Sequence, residues 1–150
     1  MRTLRKTLIV TTLVIVASAI CVHAQKGRDR FDPNGSFWIL GDPPSGFSDF
    51  SAINLNGRGV RWLPLSSLQL NNGRTFRFQQ LVVKRERFTF TTKQIRGVSY
   101  SFVGRFLKGG VFAETVLDDQ SPVLEGVLTK FVAGKKVAEA NLKFSYFGGT

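Results

Sequence analysis

Histidine and cysteine are almost absent from this 150-residue chain, which contains one of each. Both lie near the N-terminus, as His23 and Cys21. Because no imidazole or thiol follows them, the rest of the chain cannot build a Ser-His-Asp site, a cysteine nucleophile or a typical zinc site. A chain with a single cysteine also has no internal disulfide. These absences exclude several large classes of enzyme and metalloprotein.

Acidic residues are few as well, ten against 21 Lys and Arg. Glu125 and Glu139 can face each other across the last predicted hairpin, but on its solvent side, where plain surface charge is the favoured interpretation. The pair Asp118-Asp119 lacks the spaced acids of a calcium loop. The glycine-rich turns carry no phosphate-binding fingerprint. We therefore predict no metal, no cofactor and no enzymatic activity.

The N-terminus has the three-part layout of a secretory signal peptide. Basic residues precede an apolar run from Leu8 to about Val22, and the small residue Ala24 follows it. The apolar run of about 15 residues is shorter than the roughly 20 that cross a bilayer as a helix. We therefore predict a cleaved signal peptide over residues 1–24 and a secreted or periplasmic protein. An anchor retained through residues 7–22 is the second interpretation.

The remainder of the chain is dominated by short stretches in which apolar and polar residues alternate. Val98–Phe106 and Ala138–Tyr146 are the longest of these. Side chains along a strand point to opposite faces in turn, so each stretch predicts a strand with one buried and one wet face. Turns rich in Gly and Asn separate the strands, and no amphipathic helical window of useful length interrupts them.

This pattern predicts an all-β domain over residues 35–150, preceded by a flexible leader of residues 25–34. Strands joined by tight turns form an antiparallel meander, and closing the meander into a barrel removes its exposed edges. We predict 8–10 strands in an up-and-down barrel, with a two-sheet β-sandwich as the alternative. The expected shape is similar to that of the lipocalins. The likeness is architectural only, because Gly35 and Trp38 do not have the Gly-x-Trp spacing of that family.

Two details of the predicted strands bear on closure. Gly104 and Gly126 lie inside strands, where a glycine often marks the bend that a barrel corner requires. Gly109-Gly110 is expected to turn the chain into a further strand over Val111–Leu117.

Aromatic residues on the buried parity are the candidates for a ligand site inside the barrel. Barrels of eight strands are either filled by side chains or hold one small ligand, and a phenylalanine-rich interior suits both. The candidate interior residues are Phe76, Phe78, Phe88, Phe90, Tyr100, Phe102, Phe106, Phe144 and Tyr146. The leading hypothesis is a non-enzymatic exported barrel that binds a small apolar or amphiphilic molecule.

The positive charge supports a second hypothesis. Three of the 21 basic residues lie in the predicted signal peptide, which leaves a net charge of +8 for residues 25–150. Such a charge favours encounters with anionic envelope surfaces. The candidate surface residues are Lys84, Arg85, Arg87, Lys135 and Lys136. Nucleic acid is disfavoured as a partner, because the aromatic rings share the inward parity and the chain carries an export signal. The sequence predicts no oligomeric state.

Overall fold

The computed structural model describes residues 30–57, 66–115, 117 and 120–147. The chain divides into two units, residues 1–30 and residues 31–150, and the second contains every strand described below. The predicted signal peptide and residues 25–29 of the predicted leader lie outside the described residues.

Eight strands follow one another along the second unit. They are β1 (Gly35–Ile39), β2 (Phe50–Leu55), β3 (Ser67–Leu70), β4 (Thr75–Lys84), β5 (Arg87–Thr92), β6 (Val98–Phe106), β7 (Leu124–Val132) and β8 (Lys135–Phe147). Each strand pairs antiparallel with the next, and β8 pairs with β1, so the sheet closes. The structure confirms the predicted antiparallel meander barrel, and its closure excludes the two-sheet sandwich.

Successive connections of a meander alternate between the two ends of the barrel. The connections after β1, β3, β5 and β7 form what we call the upper end, and those after β2, β4 and β6 form the lower end. The strands fold as their alternation predicts. In β5, for example, Phe88, Phe90 and Thr92 are buried in the interior, while Arg87 is exposed to solvent. The buried side chains of all eight strands meet in one core.

Gly104 of β6 lies directly opposite Gly126 of β7, on the inward-facing side of the sheet. A Cβ atom built at Gly104 would lie 2.6 Å from the ring of Phe102, and one built at Gly126 would lie 2.5 Å from the same ring. The Phe102 ring therefore fills the space that two side chains would otherwise take. Both glycines are needed for a close approach of ring and backbone at this point of the β6–β7 ladder.

The segment Phe31–Asn34 is attached to the lower end of the barrel. The backbone N–H of Asp32 donates to the carbonyl of Gly110 at 3.0 Å, and the carbonyl of Asp32 accepts from the N–H of Phe112 at 2.9 Å. The Tyr146 hydroxyl donates to the carbonyl of Asn34 at 2.7 Å. Residues 31–34, which the sequence places in the leader, are thus hydrogen-bonded to the barrel.

The strand predicted over Val111–Leu117 differs from the structure. Val111 makes one isolated bridge with Asp32, and Phe112–Glu114 form a turn of 3-10 helix. This turn places the Phe112 ring in the core, 6.1 Å from the ring of Phe37. A short alternating pattern does not distinguish a strand from an irregular segment that buries one aromatic ring. Among the described residues, no helix is long and apolar enough to cross a membrane.

Candidate functional site

The nine aromatic residues predicted to face the interior are all buried in the core. Their rings contact one another along the barrel. Phe78 stacks on Phe90 with ring centroids 4.3 Å apart, and Phe90 stacks on Phe102 at 5.5 Å. Phe76 and Tyr100 meet edge to face at 5.0 Å near the upper end. These rings form the wall and much of the filling of the barrel, and their contact with a ligand stays a prediction.

The upper end is covered by the connection between β1 and β2, residues 40–49, which we call the mouth loop. The backbone N–H of Asn71, just after β3, donates to the carbonyl of Asp49 at 2.8 Å. On the other side, Lys130 of β7 donates from Nζ to the carbonyl of Gly46 at 3.3 Å. The mouth loop therefore has contacts with β7 through Gly46 and, where it joins β2, with the end of β3, and these two strands stand opposite each other in the ring.

Phe47, at the centre of the mouth loop, fills the opening from above. Its side chain is 1% exposed and belongs to the core, although it is carried by a loop rather than by a strand. The adjacent Gly46 has φ +90°, and a Cβ there would lie 2.9 Å from the Cβ of Ala138. Glycine therefore lets the loop lie directly against β8 and point Phe47 inwards.

Lys130 is a basic residue that lies on the inward-facing side of the barrel at the mouth, where Arg74 is also near enough to act on Tyr100. Lys130 pairs across the sheet with Tyr100 and with Ala138, both of which face inwards. Its side chain is 20% exposed, its Nζ lies 3.7 Å from the Asp49 carboxylate, and the same nitrogen lies 5.9 Å from the centre of the Tyr100 ring.

Lys130 is not among the site residues predicted from the sequence. A signal was present, since Leu124, Leu128 and Lys130 share one parity on a strand, and that parity is buried at the first two positions. The parity of a strand alone predicts a lysine directed towards the interior here.

Tyr100, Lys130 and Asp49 together form a cluster of polar side chains at the mouth. The side chain of Tyr100 is 2% exposed, and its backbone N–H donates to the Thr92 hydroxyl at 2.9 Å. Burial, reinforced by the nearby Asp49 charge and opposed by Arg74, raises the pKa of Tyr100 from 10.0 to about 12. The phenol therefore stays protonated, and able to donate a hydrogen bond, throughout the neutral range.

The raised pKa of Tyr100 predicts a loss of stability in alkali. The free energy of unfolding should be unaffected by this group below pH 10, the ordinary pKa, and should fall as the pH rises towards the folded value of about 12. The unfolded chain releases the proton first, which favours unfolding. In Tyr100→Phe this part of the decline should vanish, as measured by urea unfolding over a pH series. Parallel curves for the two proteins would contradict the shift.

The predicted anionic-surface residues do not form one patch. Lys84, Arg85 and Arg87 lie at the β4–β5 turn, at the lower end, whereas Lys135 and Lys136 begin β8 at the upper end. All five are exposed. A single flat surface therefore cannot contact both groups through the ends of the barrel.

The two carboxylates considered as a pair are also separated. Glu125 lies opposite Lys143 and Glu139 lies opposite Thr129. Glu125 accepts from the Arg105 guanidinium at 2.8 Å, beside an open cleft of about 600 Å³ on the outer face of β6–β8. The described residues include no cluster of three or more potential metal ligands. Asp118-Asp119 lies outside the described residues.

Comparisons with known proteins give no relative for this chain: no family description, no curated protein and no solved structure matches it.

Proposed function

We propose that this chain is an exported, non-enzymatic barrel that binds a small apolar or amphiphilic molecule in its interior, beneath the mouth loop. The observation that carries the proposal is Phe47, a buried core side chain on a connection that also covers the opening. A side chain on a loop can leave the interior when the loop moves, whereas the strand-borne rings below it are fixed by the sheet.

The attachments of the mouth loop are consistent with such movement. Its centre and far end are held to the rest of the barrel by one hydrogen bond from Lys130 and two from Asn71, rather than by a long strand ladder. Segments with few ladder hydrogen bonds are the ones that unfold locally, because less free energy is needed to release them from the rest of the protein. Withdrawing Phe47 removes one aromatic ring from the core and leaves room for an apolar group of similar size. Eight-stranded barrels have an interior suited to one small ligand.

The proposal predicts that the ligand stays bound to the protein when the protein is purified from the cells that make it. Native mass spectrometry of the full protein, purified from an exporting host, should show a reproducible extra mass that disappears on organic extraction. The stripped protein should then bind a neutral apolar dye such as N-phenylnaphthylamine, saturably and with one dye per chain. A bare protein mass together with no saturable dye binding would contradict the proposal and leave the aromatic rings as a filled core.

Salt separates this function from the second candidate, docking on an anionic envelope surface. The observation that favours docking is the basic β4–β5 turn, where exposed Lys84, Arg85 and Arg87 stand together at the lower end. Contacts between exposed charges are screened by salt, with a Debye length of about 8 Å near physiological ionic strength. Binding to anionic vesicles that falls steeply with salt would support docking. Dye binding that hardly changes with salt would support the interior site.

A further inference from the structure

We propose that the molecule bound beneath the mouth loop has an anionic head group, which binds Lys130 in place of the Asp49 carboxylate. The inference rests on the proposed function and names the chemical class of its ligand: a single-chain amphiphile with an apolar tail and a negatively charged end.

Lys130 has two polar partners at the mouth. Its ammonium contacts the Gly46 carbonyl at 3.3 Å and the Asp49 carboxylate at 3.7 Å. Both partners belong to the mouth loop. When the loop lifts to admit a ligand, the ammonium loses both of them at once, while its stem remains fixed to β7. A cation at the rim of an apolar interior is costly without a partner. An anionic ligand restores the charge balance, a neutral ligand does not, and a cationic ligand makes it worse.

In the closed mouth, the Asp49 carboxylate occupies the position beside Lys130 that the anionic ligand would take. The Asp49 side chain is 43% exposed, so its pairing with Lys130 is partly solvated and weak. A ligand carboxylate that arrives with an apolar tail can therefore displace it at small cost. The ligand carboxylate thus takes the place of the partner that Lys130 loses when the mouth loop lifts.

Tyr100 provides a second contact for the same head group. It lies directly opposite Lys130 across the β6–β7 ladder, and burial together with the Asp49 charge raises its pKa. An anion near the phenol stabilises the protonated form, and the protonated form donates to an anion. Tyr100 can thus donate to a carboxylate held by Lys130.

The wall below Lys130 suits the beginning of a tail. Ala138 lies opposite Lys130 in the β7–β8 ladder, and Ala140 lies opposite Leu128 one step deeper. Both alanines pack against the core yet remain only partly buried. Small side chains on this part of the wall leave more width than the phenylalanines lower in the barrel. A tail attached to a head group at Lys130 would descend along this strip.

Three probes of one chain length, with a displaceable dye as reporter, test the charge of the head group. Dodecanoate, dodecanol and dodecylamine differ in the charge at the end of the same tail, and N-phenylnaphthylamine reports displacement from the interior. We expect dodecanoate to bind about tenfold more tightly than dodecanol, the effect of one charge-assisted hydrogen bond, and dodecylamine to bind least. Lys130→Met should remove the preference for dodecanoate while leaving dodecanol affinity unchanged. Asp49→Asn should strengthen dodecanoate binding by removing its competitor.

Two further variants make the result decisive. Lys130→Arg keeps the charge and should retain the preference, which separates loss of charge from loss of structure. Lys93→Met removes an exposed lysine from the β5–β6 connection at the same end and should change nothing. Equal affinities for dodecanoate and dodecanol, or a preference that survives in Lys130→Met, would overturn the inference while the interior site stands. Failure of every probe, the dye included, would overturn the proposed function along with it.

Discussion

Replacing Gly126 by alanine should lower the free energy of unfolding by about 3 kcal/mol, the upper range for forcing extra atoms into a packed core. The added Cβ would lie 2.5 Å from a Phe102 ring carbon, 2.5 Å from the Val103 carbonyl oxygen and 2.6 Å from the Gly104 Cα. Two of these three atoms belong to the backbone of the neighbouring strand, so a side-chain rotation cannot relieve the overlap. The β6–β7 ladder must separate at this point, and the Phe102 ring must shift as well.

Urea unfolding of the purified variant measures this loss directly. Gly104→Ala should behave alike, because its Cβ would overlap the carbonyl oxygen of Glu125 on the neighbouring strand. Val103→Ala is the matched control, since Val103 occupies the same ladder but is 64% exposed on the outer face. We expect the control to lose less than about 0.5 kcal/mol, as is usual for surface changes. Equal losses in Gly126→Ala and Val103→Ala would show that this part of the β6–β7 ladder tolerates a side chain.

The meander could be read from the sequence because its information is local. The alternation over Val98–Phe106 fixes which face of β6 is buried, and tight turns make sequential strands neighbours. Gly104 and Gly126 are glycines inside strands, which the sequence marks as unusual positions, but the structure shows a close approach of the two strands there and no break in their register. What alternation does not contain is their pairing. That pairing depends on the register of β6 against β7, which the sequence alone leaves open.

The candidate site was harder to predict, because its parts come from distant segments and one of them is irregular. Phe47 lies outside every alternating stretch, so no periodicity marks it as a core residue. Its burial depends on the mouth loop contacting both Asn71 and Lys130, which is a tertiary arrangement.

Two features that were not predicted, the inward direction of Lys130 and the separation of the basic residues, do follow from the sequence. Lys130 shares the buried parity of Leu124 and Leu128. The separation of Lys84 from Lys136 also follows from topology, because successive turns of a meander alternate between the two ends. Strand parity predicts the inward direction of Lys130, and turn order predicts the separation of Lys84 from Lys136. Neither prediction requires a distance between residues.

Phe47→Ala should affect both stability and binding. Removing a buried phenylalanine side chain costs about 3–5 kcal/mol, through lost burial and the cavity that remains. We expect a loss near the lower limit, about 3 kcal/mol, because the mouth loop can settle and water can reach the polar group at Lys130. At the same time the variant should bind N-phenylnaphthylamine more tightly than the unaltered protein does, since the ligand no longer has to displace the ring. Urea unfolding and dye titration on the same samples measure the two effects.

Phe88→Ala is the control that gives this result its meaning. Phe88 is also fully buried, but it lies on β5 and contacts Phe90, Phe102 and Phe106 at ring distances of 5.8, 5.5 and 5.1 Å. Its removal should cost at least as much stability, about 4 kcal/mol, and should not improve dye binding, because the cavity stays enclosed by rings fixed to strands. A gain in dye affinity confined to Phe47→Ala would identify Phe47 as the removable part of the core. Equal dye affinities in both variants and in the unaltered protein would mean that the mouth loop is an ordinary part of the core, and that the interior is not reached through it.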